Sequence, residues 1–144
     1  NSLGGTIAIE AAARTPAVQA VAASAAFSSL VDTLETSIRF FTGMPPFPFA
    51  PVIAFWAERQ TGVRLTDIDA TRSIGRISPR PVLLMQGGTD EVISISSGQR
   101  LFDAAGEPKS LWFDERVGHA RFDTAFPGEF ERRILQLFDS ALGE

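Results

Sequence analysis

The sequence predicts an α/β domain built on a mostly parallel sheet flanked by helices, and two observations lead to this fold class. Helical and strand-like segments alternate along the chain, which is typical of a parallel sheet with right-handed crossovers. The segment 81–86 (PVLLMQ) is apolar without interruption, as expected for a strand buried on both faces of such a sheet. No internal repeat or low-complexity linker divides the 144 residues, so we interpret them as one domain or part of one.

The first half of the chain is predicted to be largely helical around one strand. Residues 4–14 are rich in alanine and are followed by Thr15-Pro16, which predicts a helix that ends there. The apolar run 17–25 (AVQAVAASA) is consistent with a buried strand, although alanine runs also form helices. Further helices are predicted at 30–41, 52–61 and 67–77.

Residues 31–78 form a predicted insertion between two strands. Its aromatic side chains have two interpretations: they pack onto the body of the domain, or they belong to a cap over a substrate pocket. Both stay open for Phe41, Phe47, Phe49 and Trp56. The apolar stretch 44–56 is too short for a spanning helix and is interrupted by prolines, so we expect no membrane span here.

The last third of the chain is the most regular. The strand 81–86 is followed by the exit turn 87–90 (GGTD), and 109–113 (KSLWF) is another short strand. Between them, 94–105 is predicted to be a helix with a serine N-cap and with Gly106 at its C-terminal stop.

Pro127 opens a final predicted helix. Its apolar residues recur at three- and four-residue spacing, which predicts one apolar face turned toward the core. That face consists of Phe130, Ile134, Leu137, Phe138 and Leu142.

The composition excludes several classes of function. With 44% apolar and 21% charged residues, the chain is typical of an ordinary globular protein. Lys and Arg (13) are fewer than Asp and Glu (17) and form no basic cluster, so we do not expect a nucleic-acid or anionic-membrane partner. The absence of cysteine excludes a disulfide framework, a thiolate metal site and a cysteine nucleophile.

Metal and cofactor sites are not predicted either. One histidine and no cysteine leave mainly carboxylates as metal ligands, and the sequence has no D-x-D-x-D-G calcium loop. Its glycine pairs lack the G-x-x-x-x-G-K-[ST] spacing of a phosphate-binding loop.

The first residues, Asn-Ser-Leu-Gly-Gly, supply the last four positions of the pattern G-x-S-x-G and one further glycine. In that pattern a nucleophilic serine lies on a sharp strand-to-helix turn, which needs small neighbours because its backbone is strained. The turn directs the hydroxyl at the substrate and the helix N-terminus at developing negative charge. Ser2 is therefore a candidate nucleophile, although a plain N-cap serine would explain the same residues.

Asp90 and His119 supply the remaining groups of a serine-hydrolase triad. Asp90 lies just beyond the end of a buried strand, where sites in open α/β sheets are found. His119, the only histidine of the chain, follows the next strand. The order Ser, Asp, His along the chain is that of α/β-hydrolases and differs from the other common serine-hydrolase folds.

Three other carboxylates compete with Asp90 for the role of triad acid. Glu91 would have to exchange places with Asp90 within the same turn. Asp114 and Glu115 are close to His119 in sequence, and so near a residue cannot readily approach the ring from the side opposite the nucleophile. We therefore favour Asp90.

In these features the chain resembles the α/β-hydrolase superfamily, in particular its serine aminopeptidase-like and prolyl-oligopeptidase-like branches. The resemblance rests on the elbow Ser2–Gly5, on PVLLMQGGTDEV, and on VGHARF leading into PGEFERRILQLF. It implies Ser2 as nucleophile, Asp90 as triad acid and His119 as general base. It also implies the backbone amide of Leu3 as one oxyanion-hole donor.

The chain departs from the family pattern in three places. The glycine that should precede Asn1 is absent, and so is the earlier loop that normally supplies the second oxyanion donor. Gln86 occupies a position where the family often has histidine, a residue outside the triad. We interpret the 144 residues as the C-terminal part of a domain whose true N-terminus is missing, so cellular location stays open.

The expected function is hydrolysis of an ester, thioester or amide through an acyl-enzyme, on a small acyl substrate or short peptide and without a cofactor. A carboxylesterase is preferred to a peptidase, because the insertion is apolar and no acidic residue is obviously placed to hold a substrate amine. Alternatives are a different reaction of the same triad, such as C–C bond hydrolysis or perhydrolysis, and a non-catalytic binding module. Expressed alone, this piece should be inactive and prone to aggregate through an exposed sheet edge.

Overall fold

The computed structural model describes residues 1–143, which contain three strands and seven α-helices. The strands are β1 (Val21–Ser24), β2 (Val82–Gly87) and β3 (Lys109–Asp114). The helices are α1 (Leu3–Arg14), α2 (Leu30–Thr42), α3 (Pro46–Thr61), α4 (Thr71–Ile74), α5 (Ser96–Ala104), α6 (Phe122–Ala125) and α7 (Pro127–Leu142). Two 3₁₀ turns lie at Leu65–Asp67 and Gly75–Ile77.

The three strands form one parallel sheet in the order β1-β2-β3. β1 pairs with β2 as far as Ser24 opposite Met85, and β2 pairs with β3 as far as Gly87 opposite Asp114. All six residues of β2 are buried, which confirms the prediction of a strand covered on both faces. Because the strands are parallel, their carboxyl ends lie at one edge of the sheet.

Helices cover both faces of the sheet. On one face α1, α4 and α5 bury a core that includes Ile9, Ile74, Val82, Leu84 and Leu101. On the other face α6 and α7 bury a core that includes Leu83, Met85, Val117, Phe122 and Leu137. A parallel sheet between two layers of helices is the predicted fold class, which is confirmed.

β1 is shorter than the predicted strand 17–25. Ahead of it, the guanidinium of Arg80 donates hydrogen bonds to the carbonyl oxygens of Ala12, Thr15 and Val18, at 2.9, 3.0 and 2.7 Å. Ala12 and Thr15 precede the predicted strand, whereas Val18 lies within it, and its carbonyl accepts from Arg80 and not from a neighbouring strand. The ladder therefore begins only after them.

α3 begins earlier than the predicted helix 52–61, since it takes in most of the proline-rich stretch. The ring of a proline inside a helix clashes with the carbonyl four residues earlier. For Pro51 that residue is Phe47, whose ψ of 133° is not helical. The clash is thereby avoided, and the prolines lie at the start of the helix instead of ending it.

The predicted helix 67–77 is wrong in detail, because the chain makes three short turns there: Leu65–Asp67, α4 and Gly75–Ile77. Ile74 and Ile77 are fully buried in the core that α1 and α5 share. The end of the predicted insertion therefore contributes to the body of the domain.

The serine N-cap predicted for α5 is also wrong. The helix begins at Ser96, and the residue before it, Ile95, has helical backbone angles and makes no capping hydrogen bond. The hydroxyl of Ser94 pairs with that of Ser96 at 2.9 Å. Beyond the end of the helix, a Cβ on Gly106 would lie 2.7 Å from Cβ of Ser78, so close packing favours glycine there.

α7 begins at Pro127 as predicted, and Leu137 is buried with Phe130 and Ile134 packed against the same cluster. Phe138 and Leu142 are 37% and 60% exposed, so the predicted apolar face is wrong for these two. Each residue turns a helix by about 100°, and these residues lie one step past the face. The smaller Ala141 takes part in the packing instead.

The aromatic residues of α2 and α3 do not pack in the core. Phe41, Phe47 and Trp56 are 71%, 78% and 55% exposed, and Phe49 is also exposed, so the core interpretation is wrong for all four. Within residues 1–143 no single helix has both the length and the apolar composition of a membrane span. α2 and α3 meet that test only as a pair, and they are bent by 119° at the break between them.

Candidate active site

The three predicted triad residues lie on loops at the carboxyl edge of the sheet. The backbone N–H of Ser2 donates to the carbonyl of Ser24, the last residue of β1, at 2.8 Å. Asp90 follows the end of β2 and His119 follows the end of β3. This edge is where ligands bind in open α/β sheets.

The backbone at Ser2 is strained, with φ 53° and ψ −130°. A non-glycine residue at positive φ is uncommon, and such residues concentrate at functional sites. The Ser2 side chain makes no capping hydrogen bond to α1. The interpretation of Ser2 as a plain N-cap serine is therefore not supported, whereas the angles fit a sharp turn into a helix.

Close packing of α1 on β1 holds this turn. A Cβ on Gly5 would lie 3.3 Å from Cβ of Ala26 and 3.5 Å from Cβ of Ala23, so the helix approaches the strand more closely than a larger residue allows. The hydroxyl of Thr6 accepts a hydrogen bond from the N–H of Phe27 at 3.0 Å and donates to the carbonyl of Phe27 at 3.2 Å. The start of α1 is thus fastened to the loop that follows β1.

The amide of Leu3 is the first N–H of α1 after the turn. Amides in the first turn of a helix have no intrahelical acceptor, and they carry the positive end of the helix dipole. Within residues 1–143 no hydrogen bond occupies this amide. It is therefore able to donate to an anionic oxygen beside Ser2.

The carboxylate of Asp90 is buried, with a fully covered side chain. Its Oδ1 accepts hydrogen bonds from the backbone N–H groups of Val92 at 3.0 Å and Ile93 at 2.9 Å. A buried carboxylate is costly unless it is hydrogen-bonded, and these two amides hold it in one orientation. Asp90 is thus a fixed acceptor and not a solvated surface group.

His119 completes the pair, with Nδ1 2.9 Å from Oδ2 and 3.1 Å from Oδ1 of Asp90. Because a carboxylate only accepts, this contact places a proton on Nδ1, and in the neutral ring Nε2 then carries the lone pair. The His119 side chain is 28% exposed, so part of the ring faces outward while Asp90 lies beneath it. An imidazole oriented by a buried carboxylate can accept a proton at Nε2.

The competing carboxylates lie elsewhere. Asp114 pairs with Arg116 through contacts of 2.9 and 3.1 Å, and this hydrogen bonding lowers the pKa of the Asp114 carboxyl below its ordinary value. Glu91 and Glu115 are exposed. Asp90 is the carboxylate that contacts the histidine.

The structure does not join Ser2 to His119 by a hydrogen bond among the residues it describes. Both side chains are partly exposed at the same sheet edge. Hydrogen bonds between nucleophile and base are often long in an unliganded enzyme and shorten when substrate binds. The structure therefore brings Asp90 and His119 into contact, and it places Ser2 at the same sheet edge without a hydrogen bond to His119 among the described residues.

The loops that carry Asp90 and His119 touch along their backbones. Gly88 N–H donates to the Asp114 carbonyl at 2.8 Å, and Thr89 N–H donates to the Val117 carbonyl at 3.0 Å. A Cβ on Gly87 would lie only 2.2 Å from the Val117 oxygen. The sequence identified the turn GGTD. It did not reveal that Gly87 and Gly88 lack side chains where the loop that carries His119 packs against them.

An apolar groove of about 480 Å³ lies between α2 and α3. Its lining includes Leu30, Leu34, Ile53, Ala57, Leu65 and Ile68. The exposed aromatics Phe41, Phe47 and Trp56 are not part of this lining. Leu30 and Ile68 also pack against a buried cluster of Ala25, Phe27 and Ile93. Ala120, the neighbour of His119, packs against the same cluster.

A second, more polar cleft of about 690 Å³ lies between α2 and the loop 88–95 that carries Asp90 (the acid loop). Glu35, Arg39 and Glu91 face this cleft together with Phe40. Glu91 is the neighbour of Asp90 in this loop. The hydroxyl of Thr36 donates to the Val92 carbonyl at 2.9 Å, and this hydrogen bond links α2 to the acid loop.

The sheet, its helices and this edge define the α/β-hydrolase fold. The chain is similar to the esterase Pf2001 of Pyrococcus furiosus, with a TM-score of 0.72 at 17% identity over 96% of this chain and 51% of that one. It is also similar to the α/β hydrolase GrgF from Penicillium sp. sh18, with a TM-score of 0.68 at 16% identity over 99% of this chain and 62% of that one.

In sequence, the chain is 25% identical over 114 residues to the uncharacterized protein YqkD of Bacillus subtilis (strain 168). The match covers 79% of this chain and 37% of YqkD. No protein-family model matches the chain. The chain spans about half of the length of the Pyrococcus esterase and less of YqkD.

The contact between the two loops predicts the effect of enlarging Gly87. In the full-length protein Gly87→Ala should lower the free energy of unfolding by on the order of 3 kcal/mol, because its Cβ overlaps the Val117 carbonyl. The matched control is Gly128→Ala in α7, where no atom of residues 1–143 lies within 4 Å of the added Cβ. Urea denaturation should show little change or a gain for the control. Equal stability of both variants would contradict the close approach.

The strain at Ser2 predicts a difference between two variants that both lack the hydroxyl. Glycine adopts positive φ readily and alanine does not, so Ser2→Gly should be more stable than Ser2→Ala by about 1 kcal/mol. Urea denaturation of the two full-length variants measures the difference. If Ser2→Ala equals or exceeds Ser2→Gly in stability, the turn is not strained as described.

Proposed function

We propose that the full-length protein is a serine hydrolase that cleaves an ester, thioester or amide through an acyl-enzyme. In this proposal Ser2 is the nucleophile, His119 the general base, Asp90 the triad acid and the Leu3 amide one oxyanion donor. The observation that carries the proposal is the contact of His119 Nδ1 with the buried Asp90 carboxylate at 2.9 Å, at the edge where the strained Ser2 lies.

The reaction follows from these roles. Ser2 Oγ attacks the substrate carbonyl carbon while Nε2 of His119 takes the hydroxyl proton, and the Leu3 amide donates to the oxyanion that forms. The tetrahedral intermediate collapses to an acyl-serine as the imidazolium returns the proton to the leaving group. A water, deprotonated in turn by His119, releases the acid and restores Ser2. Asp90 holds the ring and stabilises the imidazolium, and no cofactor enters these steps.

An ester with an apolar acyl group is the preferred substrate, and the groove between α2 and α3 supports this preference. Three residues of its lining carry hydroxyls, Thr33, Ser37 and Thr61. Two of these hydroxyls already donate within the chain, that of Thr33 to the Ser29 carbonyl at 2.9 Å and that of Thr61 to the Ala57 carbonyl at 2.7 Å. The groove therefore offers mainly hydrocarbon surface. Burial of each methylene of an acyl chain stabilises binding by about 0.8 kcal/mol.

A serine peptidase of the aminopeptidase type is the second candidate. The polar cleft beside the acid loop favours it, because Glu35 and Glu91 could bind a substrate amine there. Arg39 in the same cleft opposes a cationic group, and the ester therefore stays first. A binding module that retains the fold without catalysis is the third alternative.

The hydrolase proposal predicts covalent labelling at one serine. A fluorophosphonate probe should label the full-length protein at neutral pH, and Ser2→Ala should abolish the labelling. The matched control is Ser96→Ala, an exposed serine at the start of α5, which should label like the wild type. Loss of labelling in Asp90→Asn as well would tie the reaction to the triad. A folded wild type that does not react favours the binding module.

The groove predicts a dependence on acyl length. Ala57→Phe places a ring in the groove, so hydrolysis of a p-nitrophenyl octanoate should fall by at least about tenfold while the acetate is cleaved at the wild-type rate. The acetate serves as the internal control for folding and catalysis. Parallel loss on both esters, or no loss on either, would remove the groove as the acyl site. Faster cleavage of aminoacyl anilides than of any ester would favour the peptidase.

A further inference from the structure

Gln86 lies near the end of β2, directly before the turn that carries Asp90, and it is 1% exposed. Its side chain packs under α5 at Gly98. A Cβ at position 98 would lie 2.6 Å from Cβ and 2.9 Å from Cγ of Gln86. The helix thus contains a glycine where the glutamine side chain passes beneath it.

The side-chain amide of Gln86 is directed at the acid loop. Its Nε2 donates to the carbonyl of Gly87 at 3.2 Å and lies 3.5 Å from Oδ2 of Asp90, a long contact of donor to acceptor. Its Oε1 has no hydrogen-bond partner among the residues that the structure describes. Exchanging the two atoms would set Oε1 against two acceptors, so the orientation with Nε2 toward Asp90 is the favourable one.

Packing alone does not explain this glutamine. A buried acceptor without a partner destabilises the folded state, and an unbranched apolar side chain of similar length would fill the same space without it. The Gln86 side chain therefore costs stability at this position. What it supplies in return is an N–H directed at the carboxylate that orients His119.

We propose that Gln86 is a positioning residue for the catalytic acid, an inference that rests on the proposed hydrolase function. Oδ1 of Asp90 is held by the amides of Val92 and Ile93, and Oδ2 contacts His119. Gln86 Nε2 lies 3.5 Å from Oδ2, so a turn of the carboxylate about its Cβ–Cγ bond would move its oxygens away from these donors. Gln86 acts through Asp90 and, being buried, does not contact substrate.

The test is Gln86→Met in the full-length protein, measured with a p-nitrophenyl ester. We expect kcat to fall by about tenfold, KM to stay within about twofold, and the unfolding midpoint to stay equal or rise. The matched control is Ser97→Ala, which removes a buried hydroxyl of α5 that pairs with Ser28 at 3.3 Å, and it should keep the wild-type kcat.

Three results would overturn the inference. One is an unchanged kcat in Gln86→Met. Another is a lowered midpoint with the same loss of kcat in Gln86→Met and Ser97→Ala, which would mean that Gln86 serves packing only. The third is a wild type that Ser2-directed probes do not label, since it removes the proposed function and this inference together. A labelled wild type with full kcat in Gln86→Met removes the inference alone.

Discussion

The approach of two loop backbones is the constraint on which the rest of the site depends. Gly87 lies so close to the Val117 carbonyl that no side chain fits between them, and Thr89 N–H donates to that same oxygen. This contact sets the spacing between the loop after β2 and the loop after β3. Asp90 and His119 then face each other over 2.9 Å without any movement of the chain. Two side chains that follow separate strands need such a contact to meet, because side chains alone would leave their separation to loop flexibility.

Close approach at a glycine also positions Ser2, because α1 packs against β1 at Gly5. The small side chains of Ala23 and Ala26 leave room for the helix there. Ser2 is held at positive φ between α1, which follows it, and the Ser24 carbonyl, to which its N–H donates. Strain of this kind persists only where the surroundings over-determine the backbone. Close packing of glycine and alanine thus fixes the position of Ser2, and the contact between the two loops fixes the positions of His119 and Asp90.

The sequence was sufficient for the sheet and for the pairing of Asp90 with His119, because both depend on local patterns. An unbroken apolar run predicts a central strand, and parallel strands bring their following loops to one edge. It was insufficient wherever a distant residue decides the outcome. Arg80 fixes the start of β1 by binding carbonyls more than sixty residues away in sequence, and no pattern near position 17 reveals it. For a related reason the sequence left two interpretations open for the aromatics of α2 and α3, since apolar character does not say which side of a helix another element covers.

The surroundings of Asp90 also determine where charge can change in this site. The carboxylate is buried and accepts from two backbone amides, so its negative charge is compensated by fixed donors that do not titrate. Its remaining partners are the Gln86 amide and the His119 ring, and of these two only the imidazole has a nitrogen lone pair that can take up a proton. The His119 ring is also the solvent-exposed partner, since 28% of the His119 side chain is exposed whereas the Asp90 side chain is fully buried. A proton taken up by this network therefore binds at Nε2 of the ring and not at the buried carboxylate.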